Sequence, residues 1–122
     1  MFPELWLDGN GIIRERHSDQ FITVNTAMYA AAERKKLAVT KKVPLLVEFK
    51  ELLGFAKETR DMDLKTILAN VSALAYFVDP ETKEGAVTMA FINQYFDFAK
   101  WPIPVKVFQN EQDAINWLCE HL

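Results

Sequence analysis

The sequence predicts a single α/β domain over residues 1–122, built on a mixed, mainly parallel sheet with an N-terminal β-hairpin and about four helices. Two observations carry this expectation. Short apolar runs at 43–49 and 71–78 have the length and composition of strands covered on both faces, and a last strand is expected at 105–108. Charged, helix-like segments alternate with them, and strand–helix–strand units in one sheet cross over with a right hand and leave their strands parallel.

The hairpin is read from Leu5-Trp6-Leu7 and Ile12-Ile13-Arg14-Glu15-Arg16, which flank Asp8-Gly9-Asn10-Gly11. Its glycines and Asn10 tolerate the positive φ of a tight reversal. Thr23 then offers a hydroxyl as the N-cap of a helix reaching about Lys36, with Val24, Ala27, Met28 and Ala31 spaced as its buried stripe. Arg34, Lys35 and Lys36 complement the negative end of that helix. Val43 to Phe49 follows as a strand, with Pro44 near its start, where a missing N–H does least harm. From Lys57 to about Asn70 a charged segment carries Met62, Leu64, Ile67 and Leu68 on one face and predicts a second helix. Val71 to Val78 is a further buried strand, and Asp79-Pro80 signals the start of a third helix reaching Phe98. After Trp101-Pro102-Ile103-Pro104, a last strand at 105–108 precedes Asn110, which caps a helix from Glu111 to Leu122. Ile115, Leu118, Cys119 and Leu122 are its expected inward stripe.

The composition narrows the function. Half of the residues are hydrophobic and a quarter are charged, as in a folded globular chain. A net charge of −3 supplies no positive field for a phosphate backbone, so nucleic-acid binding is not expected. No apolar stretch approaches the roughly 20 residues of a membrane-spanning helix, so integral membrane association is not expected. A single cysteine, Cys119, and a start unlike a signal peptide point to the cytoplasm.

The order hairpin, helix, strand, helix, strand, helix, strand, helix resembles that of STAS domains typified by the SpoIIAA anti-sigma-factor antagonists. Leu5-Trp6-Leu7-Asp8-Gly9-Asn10-Gly11-Ile12, Ile22-Thr23, Lys41 to Glu48, Pro102 to Phe108, and Asn110 to Leu118 resemble, more specifically, small uncharacterised bacterial STAS-like proteins. The resemblance implies the SpoIIAA/STAS-like fold and a regulatory module that works by protein contacts. In the antagonists a serine in an Asp-Ser-Ser-Gly-like turn after the central strand is phosphorylated. The matching turn here is Ala56-Lys57-Glu58-Thr59, which has neither the serine nor the glycine, so Lys57, Glu58 and Thr59 form a candidate regulatory turn in which Thr59 also suits a helix cap.

No catalytic residue, metal ligand set or cofactor is predicted. His17 and His121 lack partners at a metal-site spacing and read as surface histidines, and Cys119 reads as core. Glu81 with Glu84, and Asp61 with Asp63, read as solvated helix-start carboxylates. Gly9-Asn10-Gly11 opens no helix and so forms no phosphate cradle. The basic group Arg34, Lys35, Lys36, Lys41 and Lys42 is explained mostly by a helix C-terminus, an acidic partner being the alternative. The helix before Trp101 is apolar on more than one face. Phe91, Tyr95, Phe98 and Trp101 are either core or a face that docks a second chain or a lipid-like ligand. The expected function is a non-enzymatic interaction or regulatory module, homodimeric or bound to another regulatory protein. The alternative is a domain that holds a small apolar ligand between this helix and the segment from Phe55 to Met62.

Overall fold

The computed structural model describes residues 2–122 apart from positions 20, 51, 53, 80, 82–84, 99 and 100, with backbone alone at 60, 86, 91 and 94–98. The chain runs β1 (Glu4–Leu7), β2 (Ile13–His17), β3 (Phe21–Ile22), α1 (Val24–Leu37), β4 (Val43–Phe49) and β5 (Gly54–Phe55). A 3-10 turn (Lys57–Asp61) follows, then α2 (Leu64–Ile67), β6 (Val71–Phe77), α3 (Gly85–Phe98), β7 (Val105–Phe108) and α4 (Glu111–Cys119).

The main sheet has five strands in the order β1-β2-β4-β6-β7, with β3 and β5 in a separate two-stranded parallel ribbon. β1 and β2 are antiparallel and every other neighbouring pair is parallel. The reversal between β1 and β2 is organised by Asp8, whose Oδ1 accepts from the N–H groups of Asn10 at 2.8 Å and Ile12 at 3.1 Å. Gly11 sits at φ +82°, a conformation that L side chains rarely adopt.

Alternation along the strands splits the core into two layers. Ile13, Leu45, Val47, Phe49, Leu74 and Tyr76 share one cluster with Ile22, Leu52, Leu68 and Ile92, on the face that carries α1, α2 and α3. Ile12, Leu46, Ala73, Ala75 and Phe77 pack on the other face against Ala114 and Leu118 of α4. α3 is tied down by Thr88, whose buried hydroxyl donates to the Leu52 carbonyl at 2.9 Å.

The caps fall where the sequence puts them: Thr23 Oγ1 accepts from Thr26 N, and Asn110 Oδ1 from Asp113 N. Three details differ, and the start of the third helix falls partly outside the described residues. The buried side of α1 is Thr26, Ala30 and Arg34, while Met28 is 59% exposed. A charged residue belongs to this stripe because β2 supplies its counter-charge, which rotates the helix away from the purely apolar reading. The segment from Lys57 to Asn70 is not one helix. Thr59 Oγ1 donates to the Ala56 carbonyl at 2.6 Å to close the 3-10 turn, Met62 is extended, and Asp63 caps the short α2 through Lys65 N. Asp79 Oδ1 accepts from Glu81 N in a local turn, residues 82–84 lie outside the described residues, and the third helix is described over Gly85–Phe98. Pro80 lies outside the described residues. Finally, α4 ends at Cys119, which is exposed along with Leu122 at 60%, so its inward residues are Ala114 and Leu118.

Candidate functional site: a buried charged triad in an apolar cavity

The alternation that sends Ile13 into the core also sends Glu15 and His17 there, since β2 reads buried, half-buried, buried, half-buried, buried. Opposite them on β4 stand Val47 and Phe49. From α1, Arg34 reaches down to the same spot. Its Nη1 donates to Glu15 Oε1 at 2.5 Å, and its Nη2 donates to the Ile67 carbonyl at 3.3 Å. His17 Nε2 lies 2.6 Å from Glu15 Oε2. All three side chains are only 5–6% exposed.

Burial alone would raise the Glu15 carboxyl, but the adjacent Arg34 charge and the His17 hydrogen bond more than offset it and hold the group below its ordinary value. An ionised Glu15 only accepts, so His17 carries the proton on Nε2 and donates it. Arg34 Nε finds no acceptor among the described residues.

The triad forms the polar part of the wall of a cavity of about 90 Å³ beneath α1, α2 and the 3-10 turn. The rest is mostly apolar, including Ile22, Phe55, Met62 and Trp101. Aromatic rings continue from the triad along the sheet. The His17 ring lies 5.1 Å from Phe49, Phe49 stacks on Tyr76 at 5.7 Å, and Tyr76 meets Trp101 at 6.2 Å in an edge-on contact.

The predicted site residues distribute unevenly around this cavity. Thr59 lines it, 5% exposed, with its hydroxyl engaged by Ala56, whereas Lys57 and Glu58 face solvent. Trp101 lines it too. Phe91, Tyr95 and Phe98 fall on α3, and their side chains lie outside the described residues. Two expectations are corrected. His17 is buried, because Glu15 meets its polar edge and Phe49 its ring, and only His121 is partly exposed, its ring 4.8 Å from that of Trp117. Arg34 does not belong to the surface basic group, because Glu15 draws it into the core. Neither Glu15 nor Arg34 stands out singly. The usable signal was the two-residue alternation of β2 joined to the four-residue spacing of Thr26, Ala30 and Arg34. Among the described residues, no group of three His, Cys, Asp or Glu is placed to hold a metal ion. Among the described residues, no helix is long and apolar enough to cross a membrane.

No curated protein matches the chain. Among solved structures it is similar to an uncharacterised protein of the DUF3478 family with a SpoIIAA-like fold from Shewanella loihica PV-4, at 19% identity and a TM-score of 0.55. The match covers 96% of this chain and 92% of the other, and it shows that the chain has a SpoIIAA-like fold. A family model matches residues 5–122, and by that match the chain belongs to the family described as a domain of unknown function, DUF7793.

Proposed function

We propose that this protein is a non-enzymatic binding domain whose ligand is a small, largely apolar molecule held in the cavity between β2, β4, β6 and α1. The observation that carries this reading is an apolar, aromatic-walled cavity with one convergent polar cluster, Glu15, His17 and Arg34. Such a lining is the usual make-up of a small-molecule site. A buried ion pair adds little stability over well-packed apolar side chains, so its presence in a cavity wall fits selection for recognition. Thr59 of the lining donates its hydroxyl to the Ala56 carbonyl, so that group is engaged within the 3-10 turn. The exposed, free Cys119 supports a reducing, cytoplasmic setting. Native mass spectrometry of the purified protein, with a thermal-shift screen of small apolar compounds, tests it. A co-purified or stabilising compound is expected. Absence of both a bound mass and any stabilising compound contradicts the reading.

A second reading, a regulatory module acting as a homodimer or on another protein, is supported by a different surface. On the α4 face of the sheet, Trp6 lies between two guanidinium groups, Arg14 at 5.8 Å and Arg16 at 5.3 Å from its ring centroid. A half-buried Trp with Arg is the composition of interface anchors. Sedimentation tests the homodimer: a Trp6→Ser variant is expected to shift a concentration-dependent dimer towards monomer, and a strict monomer at micromolar concentration contradicts it.

A further inference from the structure

The turn between β1 and β2 places a reactive pair of residues on an open surface. Of the six asparagines in the chain, Asn10 alone precedes a glycine; the others precede Thr26, Val71, Gln94, Glu111 and Trp117. Asparagine is thermolabile. Its side-chain carbonyl carbon lies within reach of the next residue's main-chain nitrogen, and a side chain on that residue hinders the approach. Gly11 has none. Gly9 and Asn10 are exposed, and nothing lies within 4 Å of where a side chain at Gly9 would start. The Asn10 side-chain amide makes no hydrogen bond among the described residues. Other asparagines are held: Asn70 Nδ2 donates to the Ala38 carbonyl, Asn110 Oδ1 accepts from Asp113 N, and Asn116 Oδ1 accepts from Gln112 Nε2. Asn25 and Asn93 lie within α1 and α3, where the helix fixes the main chain. The restraint on the reacting nitrogen is local. Gly11 N–H donates to the Asp8 carbonyl at 3.2 Å, the long end of the hydrogen-bond range.

We propose that Asn10 is a site of spontaneous deamidation, and that its isoaspartyl product strains open the β1–β2 hairpin. The Gly11 nitrogen loses its proton to base and attacks the Asn10 side-chain carbonyl carbon. The new C–N bond closes a succinimide ring, the bond to the side-chain nitrogen breaks, and ammonia leaves with a proton taken from water. A second water then adds to one of the two ring carbonyls. Addition at the side-chain carbon breaks the new bond and gives aspartate. Addition at the main-chain carbon breaks the original peptide bond and gives isoaspartate, in which the chain runs through the former side chain and is one methylene longer. That extra atom falls inside the stretch that Asp8 ties together. Asp8 Oδ1 accepts from Asn10 N at 2.8 Å and from Ile12 N at 3.1 Å, and Asp8 N donates to the Ile12 carbonyl at 2.9 Å. Ile12 and Ile13 are fully buried, and a close-packed core does not shift to take up the added length. The strain therefore falls on the Asp8 bonds. Asp8 also lies 3.6 Å from Arg14 Nη1, and Arg14 flanks Trp6, so the change reaches the Trp6 surface as well.

The test incubates the folded full chain in mildly alkaline buffer, with a urea-unfolded sample alongside, and follows both by peptide mass spectrometry. Asn10 of the folded chain is expected to lose ammonia ahead of every other asparagine. Chromatography then separates the aspartyl and isoaspartyl forms, which main-chain fragmentation tells apart. The isoaspartyl form is expected to unfold at a urea concentration lower by about 0.5–1 M, the scale of one or two lost turn hydrogen bonds. Asn10→Asp carries the new charge without the longer chain, and is expected to stay within about 0.3 M of the unaltered protein, as exposed substitutions do. If the unfolded chain converts Asn10 and the folded chain leaves it intact, the Asp8 turn protects the site and the proposal is overturned. Earlier conversion at another asparagine overturns it equally. An isoaspartyl form as stable as Asn10→Asp overturns the opening of the hairpin.

Discussion

Replacing Arg34 with methionine keeps an unbranched, apolar stem of similar reach in the wall of the cavity and removes the charge that faces Glu15. In the native protein Glu15 Oε1 accepts from Arg34 at 2.5 Å and Oε2 from His17 at 2.6 Å, all within side chains 5–6% exposed. The variant strands the carboxylate with His17 alone, and breaking a buried pair from one side costs about 3–5 kcal/mol. A domain of this size has total stability on the order of 5–15 kcal/mol, so the loss is large but survivable. With a urea slope of about 1.5–2 kcal/mol per molar, the unfolding midpoint falls by about 1.5–3.3 M. Equilibrium urea denaturation followed by tryptophan fluorescence measures it. The double variant Glu15→Leu with Arg34→Met removes both charges, and is expected to recover at least half of that loss, because the penalty belongs to the lone charge and not to the pair. A loss below about 1 kcal/mol in Arg34→Met, or a double variant worse than either single one, refutes this reasoning.

Three further outcomes follow from the same geometry. Glu15 ionises more readily in the folded protein, so its stabilising contribution is complete above the ordinary carboxyl value of 4.5 and is lost as pH falls through the lower folded value. The urea midpoint is therefore expected to drop on acidification below about pH 4.5, and Glu15→Gln is expected to flatten that drop; an unchanged pH profile contradicts it. Gly11→Ala places a Cβ at φ +82° and 3.4 Å from Leu122 Cδ2, and is expected to destabilise by about 1–2 kcal/mol in chemical denaturation, a stabilised variant being the contrary result. Thr23→Ala removes the oxygen that accepts from Thr26 N, and a loss of about 1 kcal/mol with reduced far-ultraviolet helicity is expected, no loss being the contrary result.

The sheet was legible because its strands are continuous apolar runs, and Val43 to Phe49 and Val71 to Phe77 are buried on both faces as such runs require. The caps at Thr23 and Asn110 were legible because each is a local, one-residue choice. The triad was not, because a charged residue read singly is assigned to water, and only pairing across β2 and α1 makes Glu15, His17 and Arg34 affordable inside. The region from Lys57 to Asn70 failed for a similar reason. Its apolar spacing suits a helix, but Asp63 is a cap and restarts the chain there. Cys119 was misplaced because α4 turns Ala114 and Leu118 inward, four residues apart, and leaves its neighbour outside.

The claim that the triad-lined cavity is a ligand site is tested most directly by methyl NMR of the labelled protein during addition of cyclopentanone. Shift changes are expected at Ile22, Leu45, Val47 and Ile67, which line the cavity, and not at Leu46, Ile115 or Leu118 beneath α4 on the opposite face. Changes confined to the α4 face, or none at saturating probe, contradict it.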